Sequence, residues 1–390
     1  MTPAARVQAA IEVLDLVIAA ARSGGASADR IVADWFRTRR FAGSGDRRAV
    51  RELAYGAIRA CGEIPPSGRA AMLLLARDNA ALAALFDGSR HAPAPNSPDE
   101  PVAEPGVAPG WLVETLAQSG IAGEHAAALL GRAPLDVRIN RLKPGLPDQP
   151  VPGEPTAAPD ALRFPSGTPV EQWDAFKSGQ IEVQDSGSQL ACLAVGAAPG
   201  ETVIDLCAGA GGKTLALAAA MGGTGRLIAC DTDRPRLSRL DPRAERAAAA
   251  FIEVRLLNPG REAEALDDLA GKADAVLVDA PCSGTGTWRR NPEARWRLTR
   301  AEVERYTAIQ ARLLDLATTL VRPGGRLVFV TCSLLDAEGA DGAAGFLQRH
   351  PEWRAESADL PAGEPRGAGW RLAPGRDGTD GFFIARFVSP

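Results

Sequence analysis

The sequence predicts an α/β fold built on a mainly parallel sheet and preceded by an all-helical segment. After residue 200, stretches long enough for crossover helices separate short apolar runs, over residues 203–206, 227–230, 252–257, 275–278 and 327–330. Before residue 87, apolar residues instead recur at helical spacing. Of the 390 residues, 45% are hydrophobic and 24% are charged, so we expect a globular protein of about two to three domains.

Three amphipathic stretches define the helical segment, over residues 7–18, 31–36 and 53–58. Residues 1–60 contain ten arginines against six acidic residues, although the whole chain has a net charge of −4. A local excess of this kind is typical of a solvated helix face or of a surface that contacts RNA phosphates, and the sequence leaves both interpretations open.

Proline-rich stretches separate the next predicted elements. Residues 87–110 are rich in Pro, Gly, Ala and Ser and are predicted to form a linker. Residues 111–131 return to a helical pattern, and Val137–Asn140 is predicted to be a short strand. Residues 144–159 contain several prolines, which disfavour the interiors of helices and sheets, so we expect an irregular segment there.

A glycine-rich turn, Gly209-Ala-Gly-Gly212, joins the first apolar run to a predicted helix over Leu215–Met221. Glycine lets the backbone approach a ligand where a Cβ would collide, and this arrangement opens nucleotide-type binding folds. The dinucleotide fingerprint requires a third glycine at position 214, which is Thr, so a nicotinamide-dependent oxidoreductase is disfavoured. Asp231 ends the next run, where an acidic residue either holds ribose hydroxyls or caps the following helix.

Two of the six cysteines follow neighbouring predicted strands. Cys282 stands in Asp279-Ala-Pro-Cys282, and Cys332 stands in a Thr-Cys-Ser sequence. A lone cysteine is usually an inert core residue, but strand carboxyl ends face the ligand cleft of such sheets, which predicts two reactive thiols. The sequence beyond Cys332 is compatible with a helix, and a helix N-terminus nearby would favour its thiolate form.

Other composition features limit the class of protein. No cysteine pair has C-x-x-C spacing, and the three histidines are remote from the cysteines in sequence, so no zinc site and no disulfide framework are predicted. The sequence lacks an apolar span of membrane length and a signal-peptide pattern, so we expect no membrane partner and a cytoplasmic location.

Several motifs together resemble those of RNA 5-methylcytosine methyltransferases of the Sun/Nop type. The motifs cover residues 184–189, 205–214, 279–286, 289–296, 331–333 and 379–383. The resemblance extends over residues 111–390. Residues 1–86 resemble the NusB-like RNA-binding helical domain that precedes the catalytic part of the rRNA enzyme in this family.

The resemblance implies a Rossmann-like methyltransferase sheet that uses S-adenosyl-L-methionine, parallel except for one antiparallel strand, preceded by an all-α NusB-like domain. Residues 371–372 and 382–388 are predicted to supply the antiparallel closing strand. The expected domains are a helical RNA-binding domain (1–86), a linker (87–110), a small α/β RNA-binding subdomain (111–180) and the methyltransferase domain (181–390). A monomer is expected.

The resemblance also implies roles for individual residues. Cys332 would attack carbon 6 of cytosine, Cys282 would assist its later release, Asp279 would hold the N3/N4 edge of the base, and Lys213 would orient Asp279 or the substrate. Cofactor contacts are expected from Cys207, Ala208, Gly209, Ala210, Gly211, Gly212, Lys213, Asp231, Asn258 and Asp279. At position 258 the family often has an acidic residue, but an amide can also hydrogen-bond adenine.

The substrate implied is 16S ribosomal RNA, with transfer RNA as the alternative. Two other functions remain open at this point. One is a catalytically idle RNA-binding factor of ribosome assembly, which the intact set of Lys213, Asp279, Cys282 and Cys332 argues against. The other is an oxidoreductase on a similar fold, which Thr214 argues against.

Overall fold

The computed structural model describes residues 1–145 and 147–390. The chain forms two compact units: a helical unit of Met1–Gly131 with Thr287–Thr299, and a sheet unit of Arg132–Gly286 with Arg300–Pro390. These units differ from the predicted boundaries at residues 86, 110 and 180, and the predicted division into functional domains stays a prediction. Residue 146, in the stretch predicted to be irregular, lies outside the described residues.

The helical unit contains the three predicted amphipathic stretches as its first three helices. Its helices are α1 (Pro3–Ser23), α2 (Ala28–Arg37), α3 (Ser44–Ala60), α4 (Gly68–Ala76), α5 (Ala80–Ala83), α6 (Gly110–Gln118) and α7 (Gly123–Ala127). One apolar core joins α1 to α4 and includes the fully buried Leu14, Ile58 and Met72. At the start of α4, a Cβ on Gly68 would lie 2.4 Å from the carbonyl oxygen of Ile11, so glycine permits the close packing of α4 on α1.

The segment Thr287–Thr299 folds with the helical unit although it is distant in sequence. Arg295 is fully buried and donates hydrogen bonds to the carbonyl oxygens of Ile58 (2.7 Å) and Cys61 (2.8 Å) at the end of α3. Glu293 accepts a hydrogen bond from the backbone N–H of Ala28, the first residue of α2, at 2.9 Å. A cation at a helix C-terminus and an anion at an N-terminus both complement the helix dipole.

The sheet unit carries thirteen strands and eight helices among the described residues. The strands are β1 (Leu135–Ile139), β2 (Glu154–Pro155), β3 (Ala161–Phe164), β4 (Ile181–Val183), β5 (Thr202–Asp205), β6 (Arg226–Asp231), β7 (Ile252–Leu256), β8 (Ala273–Asp279), β9 (Val321–Thr331), β10 (Arg354–Glu356), β11 (Glu364–Arg366), β12 (Gly369–Leu372) and β13 (Phe382–Val388). The helices are α8 (Asp174–Lys177), α9 (Ser186–Val195), α10 (Gly212–Ala220), α11 (Arg234–Leu237), α12 (Leu240–Arg246), α13 (Arg300–Thr318), α14 (Ala340–Arg349) and α15 (Pro374–Asp377).

The large sheet has the strand order β11-β12-β13-β9-β8-β5-β6-β7, and β10 also pairs with β13. Strands β5 to β9 run parallel, while β13 is antiparallel to β9, from Phe383 opposite Thr331 to Val388 opposite Arg326. The predicted Rossmann-like sheet and its antiparallel closing strand are therefore confirmed. The antiparallel part is larger than predicted, because β10, β11 and β12 extend it.

Two apolar layers cover the faces of this sheet. Successive residues of a strand point to opposite faces, so Val203 packs into one layer and Ile204 into the other. The strand order reverses at β5, between β6 and β8, and ligands of such sheets bind beyond the strand carboxyl ends at that switch point.

A second, antiparallel sheet has the order β2-β3-β1-β4, and the predicted strand at 137–140 corresponds to β1. Strand β2, with Pro155, falls inside the stretch predicted to be irregular, so that prediction is wrong there. The proline is accommodated because β2 is an edge strand, and the outer edge of such a strand needs no N–H donor for a neighbouring strand. Within the described ranges, no helix combines the length and apolar character that a membrane crossing requires.

Candidate active site

The glycine loop between β5 and α10 depends on two glycines in the left-handed region. Gly209 has a φ of 56° and Gly211 a φ of 84°. A Cβ at Gly209 would lie 2.5 Å from the guanidinium of Arg236, and one at Gly211 would lie 2.2 Å from Cδ1 of Leu240. The loop therefore has both a conformational and a steric reason for glycine.

Thr214, which replaces the third glycine of a dinucleotide fingerprint, donates its hydroxyl to Oδ2 of Asp205 at 2.7 Å. Asp205 ends β5 and is fully buried, and its Oδ1 has no hydrogen-bond partner among the described residues. Burial raises the pKa of this carboxyl to about 7. Asp205 had no predicted role, although a single acidic residue in an apolar strand was the available signal.

Asp231 ends β6 and connects the loop to the next strand. Its carboxylate accepts hydrogen bonds from the backbone N–H groups of Gly209 and Asp233, both at 2.7 Å. The helix cap predicted as the alternative role belongs to Asp233, whose side chain accepts from the N–H of Arg236 at the start of α11. Asp231 therefore fixes the glycine loop, and its predicted contact to ribose stays a prediction.

The structure brings the two predicted thiols together. Cys282 follows β8 and Cys332 follows β9, and their sulfur atoms lie 3.3 Å apart because these strands are parallel neighbours. The hydrogen bond to Cys332 and burial both raise the pKa of the Cys282 thiol well above its usual range. Cys282 is therefore a neutral thiol at physiological pH.

The expected helix N-terminus does not lie directly at Cys332. A short 3-10 turn begins at Asp336, and α14 begins only at Ala340. The predicted effect of a nearby helix N-terminus on the Cys332 thiolate stays a prediction. The positive charge that acts on Cys332 is the ammonium of Lys213, whose pKa the Cys332 sulfur helps to raise.

Lys213 and Asp279 form an ion pair of 2.7 Å beside the thiols. Burial alone would lower the pKa of Lys213, but the charge and hydrogen bond of Asp279, together with the sulfur atoms of Cys192 and Cys332, outweigh burial, and the pKa lies above its usual value. The ammonium also lies 5.3 Å from the ring centroid of Phe382. Lys213 is thus a permanent cation held next to Asp279.

A buried carboxylate holds the Cys282 loop. Glu338 has no exposed surface and accepts hydrogen bonds from both the N–H (2.8 Å) and the hydroxyl of Ser283. Gln310 of α13 donates to Glu338 at 3.2 Å and to the carbonyl of Pro281 at 2.9 Å. The Ser283 hydroxyl also lies 3.1 Å from that of Ser333, which ties the two thiol loops together. Sequence reasoning missed both Glu338 and Gln310.

A cavity of about 550 Å³ lies at the carboxyl ends of these strands. It is lined by Leu206, Cys207, Asp231, Thr232, Asp233, Arg236, Leu257, Pro259, Glu262, Asp279, Ala280, Pro281, Cys282, Tyr306, Ile309, Arg312, Leu313 and Cys332. Four of the lining residues come from α13, an ordinary amphipathic helix that gave no signal in the sequence. Glu262 and Arg312 form an ion pair of 2.8 Å in its wall.

Three predicted cofactor residues, Cys207, Asp231 and Asp279, line this cavity, whereas the other predicted ones are not among its described lining residues. Asn258 is exposed, although its neighbours Leu257 and Pro259 line the wall, so its contact to adenine stays a prediction. The remainder form the adjoining loop, namely Ala208, Gly209, Ala210, Gly211, Gly212 and Lys213.

The lining fits S-adenosylmethionine, which carries a sulfonium and an ammonium group. The cavity volume lies in the range of small-ligand sites, and Asp231, Asp233 and Asp279 supply negative charge. A Cβ at Gly212 would meet no atom within 4 Å, so the loop leaves open space at the start of α10. In the part of the chain that the structure describes, no group of three or more His, Cys, Asp or Glu side chains could hold a metal ion.

The parallel sheet, its antiparallel closing strand and the glycine loop at the switch point define a Rossmann-like methyltransferase fold. Residues 192–388 match the family model described as 16S rRNA methyltransferase RsmB/F. The chain belongs to this family.

Comparisons with individual proteins agree with the family. The chain is 39% identical, over 59% of its length, to ribosomal RNA small subunit methyltransferase B of Xylella fastidiosa strain 9a5c, and 36% identical, over 72%, to the protein of that name from strain Temecula1. It spans 54% and 66% of the lengths of these relatives. A crystal structure of a methyltransferase homolog protein from Pyrococcus horikoshii superposes with a TM-score of 0.59 at 25% identity, covering 72% of this chain and 99% of that one.

Proposed function

We propose that this protein is an S-adenosylmethionine-dependent RNA cytosine-C5 methyltransferase that acts on 16S ribosomal RNA through a covalent adduct with Cys332. The observation that carries the proposal is the pair of sulfur atoms 3.3 Å apart in the wall of a cavity that Asp279 also lines, with Asp279 paired to the Lys213 ammonium. The names of the Xylella relatives support the choice of small-subunit ribosomal RNA.

The methyl donor, when bound, supplies an electrophilic methyl group on its sulfonium sulfur. Cys207, Asp231 and Asp279 would contact it from the cavity wall, and the loop Ala208–Lys213 would enclose it. Backbone N–H groups of this loop and the carboxylates around it offer the hydrogen bonds that such a ligand needs.

Two thiols suit this chemistry because carbon 5 of cytosine is a poor nucleophile. The Cys332 thiolate adds to carbon 6 of the flipped-out base, forming a C–S bond and placing electron density on carbon 5 and N3. Asp279 accepts a hydrogen bond from the exocyclic amine at N4, and the Lys213 ammonium opposes the negative charge that develops on the ring. Carbon 5 then accepts the methyl group.

The release step uses Cys282. The carbon-5 proton leaves to water, its bonding electrons restore the C5–C6 double bond, and the C6–S bond breaks so that Cys332 leaves as a thiolate. Because Cys282 is held as a neutral thiol 3.3 Å away, it can donate a hydrogen bond to that departing thiolate. Cys282 promotes loss of the proton through this stabilisation.

The helical unit, and the four-stranded sheet within residues 135–183, are proposed to bind the RNA around the target base. The supporting observation for the helical unit is the excess of arginine over residues 1–60. The predicted monomeric state and cytoplasmic location stay predictions.

Bisulfite sequencing of total RNA from a deletion strain tests the proposed function directly. The expected result is the loss of a single 5-methylcytosine in 16S rRNA, restored by the intact gene. Loss of a transfer RNA site instead would reassign the substrate to the tRNA alternative. Unchanged methylation, together with no calorimetric binding of S-adenosylmethionine, would leave a catalytically idle RNA-binding factor.

A further inference from the structure

The helical unit contains a cavity of about 450 Å³ that the proposed chemistry does not use. It lies against α1 and α2 and the short segments that follow residues 38 and 89. Among its lining residues, the polar and aromatic ones that matter most are Glu12, Trp35, Arg39, Phe41, Arg90 and His91.

One wall is a preformed stack of an indole and a guanidinium. The Cζ atom of Arg39 lies 3.9 Å from the ring centroid of Trp35. Hydrogen bonds from Arg39 to the Thr38 hydroxyl (3.2 Å) and to Glu12 (3.3 Å) fix the guanidinium plane. The Arg39 side chain keeps 35% of its surface exposed although it is paired with Glu12, so a flat guanidinium face is available at the cavity without rearrangement.

Phe41 lies at the same cavity and is 74% exposed, more than any other large hydrophobic residue described. A single exposed ring is common on protein surfaces, so what distinguishes Phe41 is its position at a cavity beside the Trp35–Arg39 stack. His91, another lining residue, has a φ of 68°, a conformation that residues other than glycine adopt at a cost. Strain and exposed aromatic surface thus coincide at one place.

The segment that supplies Trp35, Arg39 and Phe41 to the cavity is rich in arginine. Residues 30–51 contain seven arginines and two acidic residues. Arg40 and Arg48 of this set are exposed, as is Arg90 in the cavity lining. Flat stacking surfaces among arginines are the combination that binds single-stranded nucleic acid, since bases stack on the rings while phosphates meet the cations.

We propose that this cavity receives an unpaired base of single-stranded RNA, stacked on Phe41 and on the Trp35–Arg39 platform, with the neighbouring phosphates contacting Arg40 and Arg90. The proposal rests on the proposed function only in that RNA is the substrate. A protein partner would also use an exposed phenylalanine, but the charge favours a polyanion.

Binding of fluorescein-labelled oligo(rU), measured by anisotropy on the full chain without methyl donor, tests the base pocket. Phe41→Ala is expected to weaken binding at least about fivefold, the lower end of one base–aromatic stack. Phe41→Trp should restore it and Phe41→Leu should not, because the stack needs an aromatic face. The Phe41→Ala substitution should leave the binding of the same strand in a duplex unchanged. Leu16→Ala, at a residue 49% exposed on α1, is the matched control and should have no effect.

Photo-cross-linking with 4-thiouridine in the same oligonucleotide locates the contact. Cross-links to the peptide that contains Trp35 and Phe41 are expected. The proposal would be overturned by cross-links confined to other peptides or by equal rescue with Leu and Trp at position 41. Wild-type affinity of the Phe41→Ala variant would also overturn it, and this is the result expected if a protein occupies the surface. Failure of the proposed chemistry would look different, since RNA binding would persist without methyl transfer.

Discussion

The glycine loop after β5 and the thiol loops after β8 and β9 lie at the same edge of one sheet, but different forces shape them. In the glycine loop, a missing Cβ at Gly209 and Gly211 decides the backbone path. In the thiol loops, buried hydrogen bonds to Glu338 decide it. The first is local in sequence, and the second joins residues about fifty positions apart.

This difference separates two kinds of vulnerability. Where the constraint is steric, any atom added at the glycine destabilises the fold. Where a hydrogen-bond network holds the loop, loss of one acceptor weakens the loop while the chain still folds. Substitutions in the two regions should therefore affect stability, cofactor binding and the release step in distinguishable ways.

The largest expected effect comes from removing the nucleophile on the thiol side. Cys332→Ala should lower methyl transfer at least about a thousandfold, because the neighbouring Cys282 is held as a neutral thiol and is a poor replacement nucleophile. Transfer of labelled methyl to rRNA from the deletion strain measures this effect. Calorimetric affinity for S-adenosylmethionine should stay at the wild-type value, and residual activity near wild type would refute the assignment.

On the glycine side, Gly211→Ala combines left-handed strain with overlap of the buried Leu240 side chain. We expect the free energy of unfolding to fall by about 2–4 kcal/mol and cofactor affinity to fall with it. Urea denaturation checks the first effect. Gly212→Ala is the control, since its Cβ meets open space, and equal destabilisation by both variants would argue against the steric account.

Glu338→Gln probes the network while keeping the shape of the side chain. Replacing the carboxylate that accepts both hydrogen bonds of Ser283 should cost about 2–3 kcal/mol of stability. It should also slow release of the adduct more than its formation, since the Cys282 loop loses its support. Asp341→Asn, at an exposed carboxylate on α14, serves as control. An unchanged ratio of the two rates would limit Glu338 to a structural role.

The smallest expected effect concerns pH at the end of β5. Because burial raises the pKa of Asp205 to about 7, the folded state binds a proton that the unfolded state releases near pH 4. The contribution of this residue to the free energy of unfolding is therefore at its maximum below pH 4 and is lost as the pH rises through 7. Between pH 5 and pH 8 the loss is about 2 kcal/mol. Asp205→Asn should flatten this dependence in denaturant titrations at both pH values. The same slope in both proteins would contradict the assignment.

Much of the fold was readable from the sequence because its signals are local. The apolar runs that became β5 to β9, the three N-terminal helices and the glycine loop each depend on residues within one short window. Placing Cys282 and Cys332 at neighbouring strand ends required only the rule for parallel sheets.

The features that could not be predicted from the sequence depend on contacts between segments that are distant along the chain. Glu338 and Gln310 gain their role only where the chain brings them to Ser283. Arg295 caps α3 from more than two hundred residues away, so residues 287–299 could not be assigned to the helical unit. The helix-compatible residues after Cys332 form only a short turn before α14, and no local signal marked the start of that helix.

The proposed chemistry requires different roles for the two sulfur atoms, with Cys332 as the nucleophile and Cys282 assisting its release. Incubation of Cys282→Ala with substrate RNA and S-adenosylmethionine, followed by denaturing electrophoresis, tests it directly. We expect a stable protein–RNA adduct that disappears in the Cys282→Ala, Cys332→Ala double variant. A Cys282→Ala protein that turns over at the wild-type rate without any adduct would contradict the scheme.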